Sequence, residues 1–293
     1  MKRTLYTMSA LLLLMTSSAS ANLFDQIQKF TNPDSKEGKI LSGATQVISS
    51  SKEIDYRTER TIGESLALEG LQRFGTPVKI ESLQKYVNLV GTAVATNSKR
   101  ATIPYQFAVL DSPVQNAFAV PGGVIFISRA LFSILEDESE LAAVLAHEVG
   151  HVSAKHALKS TQRAQFFQGV GTITAASVKG DKGKKFASAI ADMQDVLFDK
   201  GLDKEMEFEA DQAAMETAYR TGYDPSAMIR VLEKLQKLEA SNTDKNKKGS
   251  WYSTHPPLGE RIARLTEQLR KYPDYASLAR VNVRFVKQAK ANK

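Results

Sequence analysis

Residues 140 to 156, ELAAVLAHEVGHVSAKH, are apolar or small on nearly every side of a helix, yet they hold three of the four histidines in a 293-residue chain. At 100° per residue, Leu141, Val144, Leu145 and Val152 fall on one face and Ala142, Ala143, Ala146 and Gly150 on a second. A helix with so little polar face belongs at the centre of a fold, and its small-residue side admits a close neighbour. Gly150 costs about 1 kcal/mol of helix propensity relative to Ala, which close packing against another element would offset. Asp137 with Glu140 three residues on resembles a helix cap and predicts a start near Glu138.

The surroundings read as helix, then a short β-rich stretch, then helix again. Ile62, Leu66, Leu68 and Leu71 recur at helical spacing, as do Leu83, Val87, Val90 and Val94. From Tyr105 the runs YQFAVLD, NAFAV and VIFIS are β-type, the last two joined by Pro121-Gly122-Gly123, so a strand and a hairpin precede the histidine helix. A second helix is expected from near Asp203 to Gly222, a glycine suited to the C′ position, with Asp224-Pro225 opening the next. Amphipathic helix over 162–202 is interrupted by the basic loop KGDKGKK, and the polar loop SNTDKNKKGS precedes a last helix launched by two prolines. No repeat of solenoid period is present.

The first 21 residues, two basic residues, an apolar run from Leu11 to Met15 and Ala19-Ser20-Ala21, have the layout of a secretory signal peptide cut after Ala21. The apolar run is far shorter than the roughly 20 residues that span a bilayer. The chain has no cysteine, so no disulfide and no lipid anchor on a cysteine is expected, and export to a periplasm fits both facts. The formal charge of +7 falls by two without Lys2 and Arg3, a mild excess that falls short of a nucleic-acid-binding composition. Much of it lies in the tail, where Arg280, Arg284, Lys287, Lys290 and Lys293 follow Asp274 with no acid among them. That tail reads as solvated surface, with peripheral contact to an anionic membrane or an assembly machinery as the other reading.

His147 and His151, four residues apart, project from one helix face and can share one zinc ion. Glu148 borders that face, where a carboxylate can take a proton from zinc-activated water and later deliver it to a leaving amine. HExxH alone recurs by chance, but burying two imidazoles and a carboxylate inside an apolar helix is costly without partners. A third protein ligand is needed, and the helix after Asp203 offers Glu205, Glu207, Glu209 and Asp211. Glu207 and Asp211 share a face. One can ligate while the other holds a ligand imidazole in its tautomer, and spacing does not say which.

HEVGH and EFEAD, with NAFAVPGG and ELAAVLAHE before them and GYDP and THPPLGERI among the later blocks, resemble metallopeptidase family 48. That family includes HtpX and the CAAX prenyl proteases, and the likeness is strongest to its soluble periplasmic BepA-like and LoiP-like branch. The resemblance covers roughly residues 55 to 272. It implies an α+β fold of zincin type, mostly helical, with a small β-sheet over the active-site helix. It also implies one zinc ion held by His147, His151 and Glu207 in the gluzincin manner, Glu148 as catalytic base, and Asp211 as the partner behind a ligand. By the same resemblance the strand containing Asn116, Ala117 and Phe118 is the edge that pairs with extended substrate, although hairpin packing explains Asn116 and Phe118 equally well. His255 and Arg261 match a further block and are assigned catalytic roles. His255 would either stabilise an oxyanion or reach the zinc and displace its water. His156 reads as structural or as a partner behind the ligands. The chain departs from BepA-type relatives in having only about 20 residues after Asp274, so no tetratricopeptide repeats are expected.

The expected organisation is therefore a signal peptide (1–21), an N-terminal helix and linker (22–54), a zinc metalloprotease domain (55–272) and a basic C-terminal tail (273–293). The expected function is a periplasmic zinc endopeptidase acting on unfolded or misassembled envelope proteins, outer-membrane proteins among them, with no nucleic-acid partner. The competing reading is a zinc-dependent chaperone or assembly factor that binds clients and rarely cuts.

Overall fold

The computed structural model describes residues 54–160, 190–241, 250–255 and 257–291. The expected signal peptide, nearly all of the N-terminal linker, the basic loop at 179–185 and most of the polar loop before Trp251 lie outside the described residues.

Two helices open the domain, α1 (Tyr56–Phe74) and α2 (Glu81–Ala95), with Asp55 capping α1 through Thr58 N–H. Strands β1 (Gln106–Leu110), β2 (Ala117–Val120) and β3 (Val124–Ser128) follow. Then come α3 (Arg129–Ile134), the histidine helix α4 (Glu138–Ser153) and a short α5 (His156–Ser160). A π-helical turn, Val196–Lys200, leads to α6 (Lys204–Thr221) and α7 (Ala227–Ser241). The last helices are the short α8 (Trp251–Thr254), α9 (Leu258–Gln268) and α10 (Asn282–Ala291). The chain is thus mostly helical around one small sheet, as expected. Among the described residues no helix is long and apolar enough to cross a membrane.

The sheet has the order β1-β3-β2, with β1 parallel and β2 antiparallel to β3. Gly122 and Gly123, at φ of 84° and 100°, turn the β2–β3 hairpin in a region that side chains with a Cβ disfavour. The two outer edges are treated differently. Along β1, Gln84 exchanges hydrogen bonds with both backbone groups of Val109 (3.0 and 2.9 Å), and Asn88 does the same with Phe107 (2.5 and 3.1 Å). Two amide side chains of α2 therefore stand in for a neighbouring strand and close that edge. Along β2, Ser128 N–H donates to Asn116 O at 2.7 Å. Antiparallel alternation then turns Phe118 and Val120 toward β3 and leaves the backbone of Ala117 and Ala119 facing outward. Among the described residues, no side chain is recorded closing the β2 edge in this way.

Helix α4 is central. Asp137 accepts Glu140 N–H at 2.9 Å, while Glu140 reaches back one residue further than a simple capping box, to Glu136 N–H at 2.8 Å. Residues 138–152 are all buried. Its small side meets α6 so closely that a Cβ on Gly150 would lie 3.2 Å from Ala210 Cα and O. Gly222 ends α6 in the left-handed conformation at φ 91°, the C′ role expected of it.

In the C-terminal segment the Arg280 and Arg284 side chains are more than half exposed, as expected of a solvated basic tail, but its backbone and Phe285 dock on the domain. Ala279 bridges to Tyr223, and Arg280 O and Val281 O accept the N–H groups of Ser139 and Glu138 at 3.2 and 3.4 Å. The tail backbone thereby satisfies donors that the first turn of α4 cannot pair within itself. Phe285 is buried against Phe132, their rings 5.1 Å apart. Arg280 pairs with Asp224, and Arg284 with Glu138.

Glu138 also accepts Tyr86 Oη at 2.8 Å and Tyr223 Oη at 2.6 Å. Burial alone would raise its pKa, but the hydrogen bonds from Arg284, Tyr223 and Tyr86 outweigh it and hold the carboxyl below its usual value of 4.5. A carboxyl depressed on folding contributes stability above its unfolded pKa and loses it as pH falls through the folded value. Glu138→Gln should therefore cost about 2 kcal/mol at pH 7, less than a fully buried pair because Arg284 is more than half exposed. The deficit should shrink below about pH 4.5. Urea unfolding followed by circular dichroism at pH 7, 5 and 3.5 checks both the size and the trend.

Candidate metal centre

The close crossing of α4 and α6 sets His147 and His151 against Glu207 and Asp211. His147 Nε2 and His151 Nε2 are 2.9 Å apart, and Glu207 lies 3.5 Å from the first and 3.6 Å from the second. His255, from the end of α8, joins them, so that one ligand atom each from His147, His151, Glu207 and His255 falls within 4.8 Å of every other. All four residues are buried.

Glu207 Oε1 and Glu148 Oε2 are buried without a hydrogen-bond partner, while Glu207 Oε2 has an ion pair with Arg261 Nη1 at 3.1 Å but no hydrogen bond. Unpaired carboxylate oxygens at that depth are costly, and a cation among these donors would satisfy them. The field agrees. Burial disfavours charge on His147, yet Asp211 and Glu207 overcome it and push the imidazole up to about 9, so the spot attracts positive charge. His151 and His255 are held well below their usual value, first by burial and then by the charge of His147. The donor set, two or three imidazoles and one carboxylate, suits zinc.

Tautomers follow from what stands behind each ring. His147 Nδ1 lies 3.0 Å from Asp211 Oδ1, somewhat off the line of a well-formed hydrogen bond, which leaves Nε2 toward the cluster. His151 Nδ1 meets His156 Nδ1 at 2.8 Å, and His156 Nε2 reaches Glu209 at 3.2 Å. If His151 presents Nε2 to a cation, its Nδ1–H donates to His156, whose Nε2–H then donates to Glu209. His255 Nδ1 faces Trp251 O at 3.2 Å, an atom that can only accept, so its Nε2 lone pair also points to the cluster.

Arg261, assigned a catalytic role from sequence, is fully buried, and its donors are committed elsewhere. Nε and Nη2 bind Asp211 at 2.7 and 2.6 Å, while Nη1 binds His255 O at 2.6 Å and lies 3.1 Å from Glu207. Its contacts are with the two carboxylates and the His255 backbone. Its charge and His147 hold Asp211 ionised below the usual carboxylate range against the opposing effect of burial. Ala117 and Phe118 open β2 and Asn116 precedes it, with Phe118 lining the same pocket as Glu148, His151 and His255. The Phe118 ring packs on Phe74, Phe126 and Phe198 at 5.0 to 5.2 Å, so its side chain serves the core, while both amide atoms of Asn116 are buried and unpartnered.

Trp251 escaped the sequence reading. Its indole N–H donates to Glu148 Oε1 at 3.3 Å, its ring stacks on His255 at 4.7 Å and 14°, and the Arg261 guanidinium lies 4.7 Å above it. Its backbone N–H binds Gln115 O at 2.7 Å, next to the start of β2. A lone tryptophan one helical turn before His255 was the available signal. Glu148 is pushed up to about 7 by burial, against the lowering effects of His147 and Trp251, and its free Oε2 can take a proton at neutral pH. Trp251→Phe keeps the stacking but removes the donor. It should lower turnover about tenfold, the size of one hydrogen bond to a charged group, with bound metal unchanged by elemental analysis.

Residues 81–269 match the family described as Peptidase family M48. The beta-barrel assembly-enhancing protease of Yersinia pestis is 31% identical over 207 residues, 67% of this chain and 41% of that protein. Metalloprotease LoiP of Escherichia coli is 28% identical over 57% of this chain and 63% of its own length. The mitochondrial metalloendopeptidase OMA1 of Arabidopsis thaliana is 28% identical over 64% of this chain and 36% of its own. The chain spans less than half the length of the beta-barrel assembly-enhancing proteases it matches. With the family matched across its α2-to-α9 body and a buried His/Glu centre within it, the chain belongs to peptidase family M48.

Proposed function

We propose that the chain is a periplasmic zinc endopeptidase that cuts extended segments of unfolded or misassembled envelope proteins, with outer-membrane barrels among its clients. The carrying observation is the unpartnered Glu148 Oε2 beside four converging donors. The secretory layout of residues 1–21 supports the compartment, and the names of the beta-barrel assembly-enhancing relatives support the clients.

His147, His151 and Glu207 would hold the zinc, which supplies a Lewis acid and acidifies water at neutral pH. The chain's own groups do the rest. Asp211 and His156 orient the two ligand imidazoles, Arg261 fixes Glu207 and Asp211, and the open backbone of Ala117 and Ala119 pairs with the client. Glu148 takes the proton of the attacking water on Oε2 and passes it to the leaving amine, while Trp251 holds Oε1. His255 favours the plug reading over the oxyanion reading, because it completes a set of four protein donors where a catalytic zinc site keeps one position for water.

Glu148→Gln should abolish cleavage of an unfolded reporter, by at least about a hundredfold, with zinc content and client binding retained. Zinc-loaded wild type that never cuts an unfolded protein would refute the enzyme and leave a client-binding factor. His255→Ala should raise turnover several-fold at unchanged folding. A fall in turnover would instead assign His255 to stabilising the oxyanion.

A further inference from the structure

One buried ion pair holds the β2–β3 turn against two helices. Glu59 of α1 is 1% exposed, and Arg100, from the loop between α2 and β1, binds both of its carboxylate oxygens at 3.0 Å. Each partner makes a further contact. Glu59 Oε1 accepts Gly122 N–H at 3.1 Å, in the turn that follows β2. Arg100 Nη1 donates to Val152 O at 3.0 Å, in the last turn of α4 and next to His151. A cation is favoured among the carbonyls at a helix C-terminus. Helix α1, the α2–β1 loop, the turn beyond β2 and the end of the histidine helix thus meet in one carboxylate–guanidinium fork.

The turn itself sits directly on α1. Tyr56 Oη donates to Gly122 O at 3.2 Å. A Cβ on Gly63 would lie 1.7 Å from Pro121 O, and one on Gly122 would lie 2.7 Å from Arg60 Cα. Gly122 N–H needs only an acceptor, charged or not. A buried ion pair is often no more stabilising than apolar side chains of the same volume, so stability alone does not call for this one. What a bidentate pair supplies is fixed geometry, two parallel bonds of set length and angle. Here that geometry sets how far the turn stands from the end of α4. Strand β2 ends at Val120, two residues before Gly122, so the outward backbone of Ala119 moves with the turn.

We propose that Glu59 and Arg100 are positioning residues for cleavage. Their fork sets the β2 edge against α4, so that a client paired with Ala117 and Ala119 presents its scissile bond to the centre held by His147 and His151. The proposal rests on the endopeptidase reading. The effect passes through Gly122 and Val152, and it falls on the alignment of the bound client more than on its affinity.

Kinetics on one peptide, with binding measured on the Glu148→Gln background, test this. Arg100→Gln and Glu59→Gln should each lower kcat at least about tenfold, because small misplacements of a reacting bond are costly. Fluorescence polarisation of the labelled peptide should show Kd within about threefold of the parent, and elemental analysis should show bound metal unchanged. Mass spectrometry of the products should show cuts spread to bonds on either side of the one that wild type prefers. Arg100→Lys keeps the charge but not the fork, so its kcat should fall between wild type and Arg100→Gln. It carries the test if the glutamine variants do not fold. Glu138→Gln, which loosens the far end of α4, is the control for lost stability and should keep wild-type kcat and cut sites below its Tm. A lower Tm with kcat and cut sites unchanged in the Glu59 and Arg100 variants would make the pair structural and overturn the proposal. So would a loss of affinity that accounts for the whole loss of kcat/KM. Wild type that cuts no peptide would refute the endopeptidase reading and the positioning role together, whereas active wild type with unaffected variants removes the positioning role alone.

Discussion

The approach of α4 to α6 governs everything that the centre can do. His147 and His151 on one helix and Glu207 and Asp211 on the other can meet only if the two backbones pack at near contact, and Gly150 against Ala210 permits that. A side chain at residue 150 would have to shift Ala210 or Ala213, moving the α6 carboxylates away from the imidazoles. The glycine is unfavourable in a helix interior, so its local cost is borne by the contact that assembles the site.

Close approach alone would gather too much negative charge. Glu148, Glu207 and Asp211 are all at most 2% exposed, and burying three carboxylates is among the most expensive things a fold can do. Arg261 answers part of this from α9, where one buried guanidinium touches Asp211, Glu207 and the carbonyl of His255. Desolvation still raises Glu207 and Glu148 above the usual carboxylate range, so the balance stays short of positive charge. The centre is built to need a cation.

Much of this was legible in the chain before any coordinates, and the boundary has a physical reason. HEVGH on an apolar helix, the start near Glu138, the Pro121-Gly122-Gly123 hairpin and the Gly222 cap depend on periodicity and near neighbours, which local sequence carries. Trp251 was not legible, because nothing in WYSTHPP says that an indole will reach a carboxylate 103 residues earlier. Nor was the docking of the tail. Arg284 and Glu138 stand 146 residues apart, and a count of charges after Asp274 sees only the excess, not the buried partner that absorbs it. The closing of β1 by Gln84 and Asn88 is hidden likewise, since amides on a helix look like surface until the strand beside them is known.

That asymmetry between the sheet edges bears on how a short sheet can present a client to a fixed centre. Among the described residues β1 is shut by side chains of α2 and β2 is not, and register on a strand edge matters because a slip of one residue turns every side chain to the other face. The end of β2 is not free to drift. Gln115 O is held by Trp251 N–H, and Asn116 N–H by Ser128 Oγ at 3.0 Å. The Trp251 ring in turn contacts His255 and donates to Glu148. Strand edge, Glu148 and fourth imidazole are therefore tied through one residue, and whatever displaces α8 must disturb all three together.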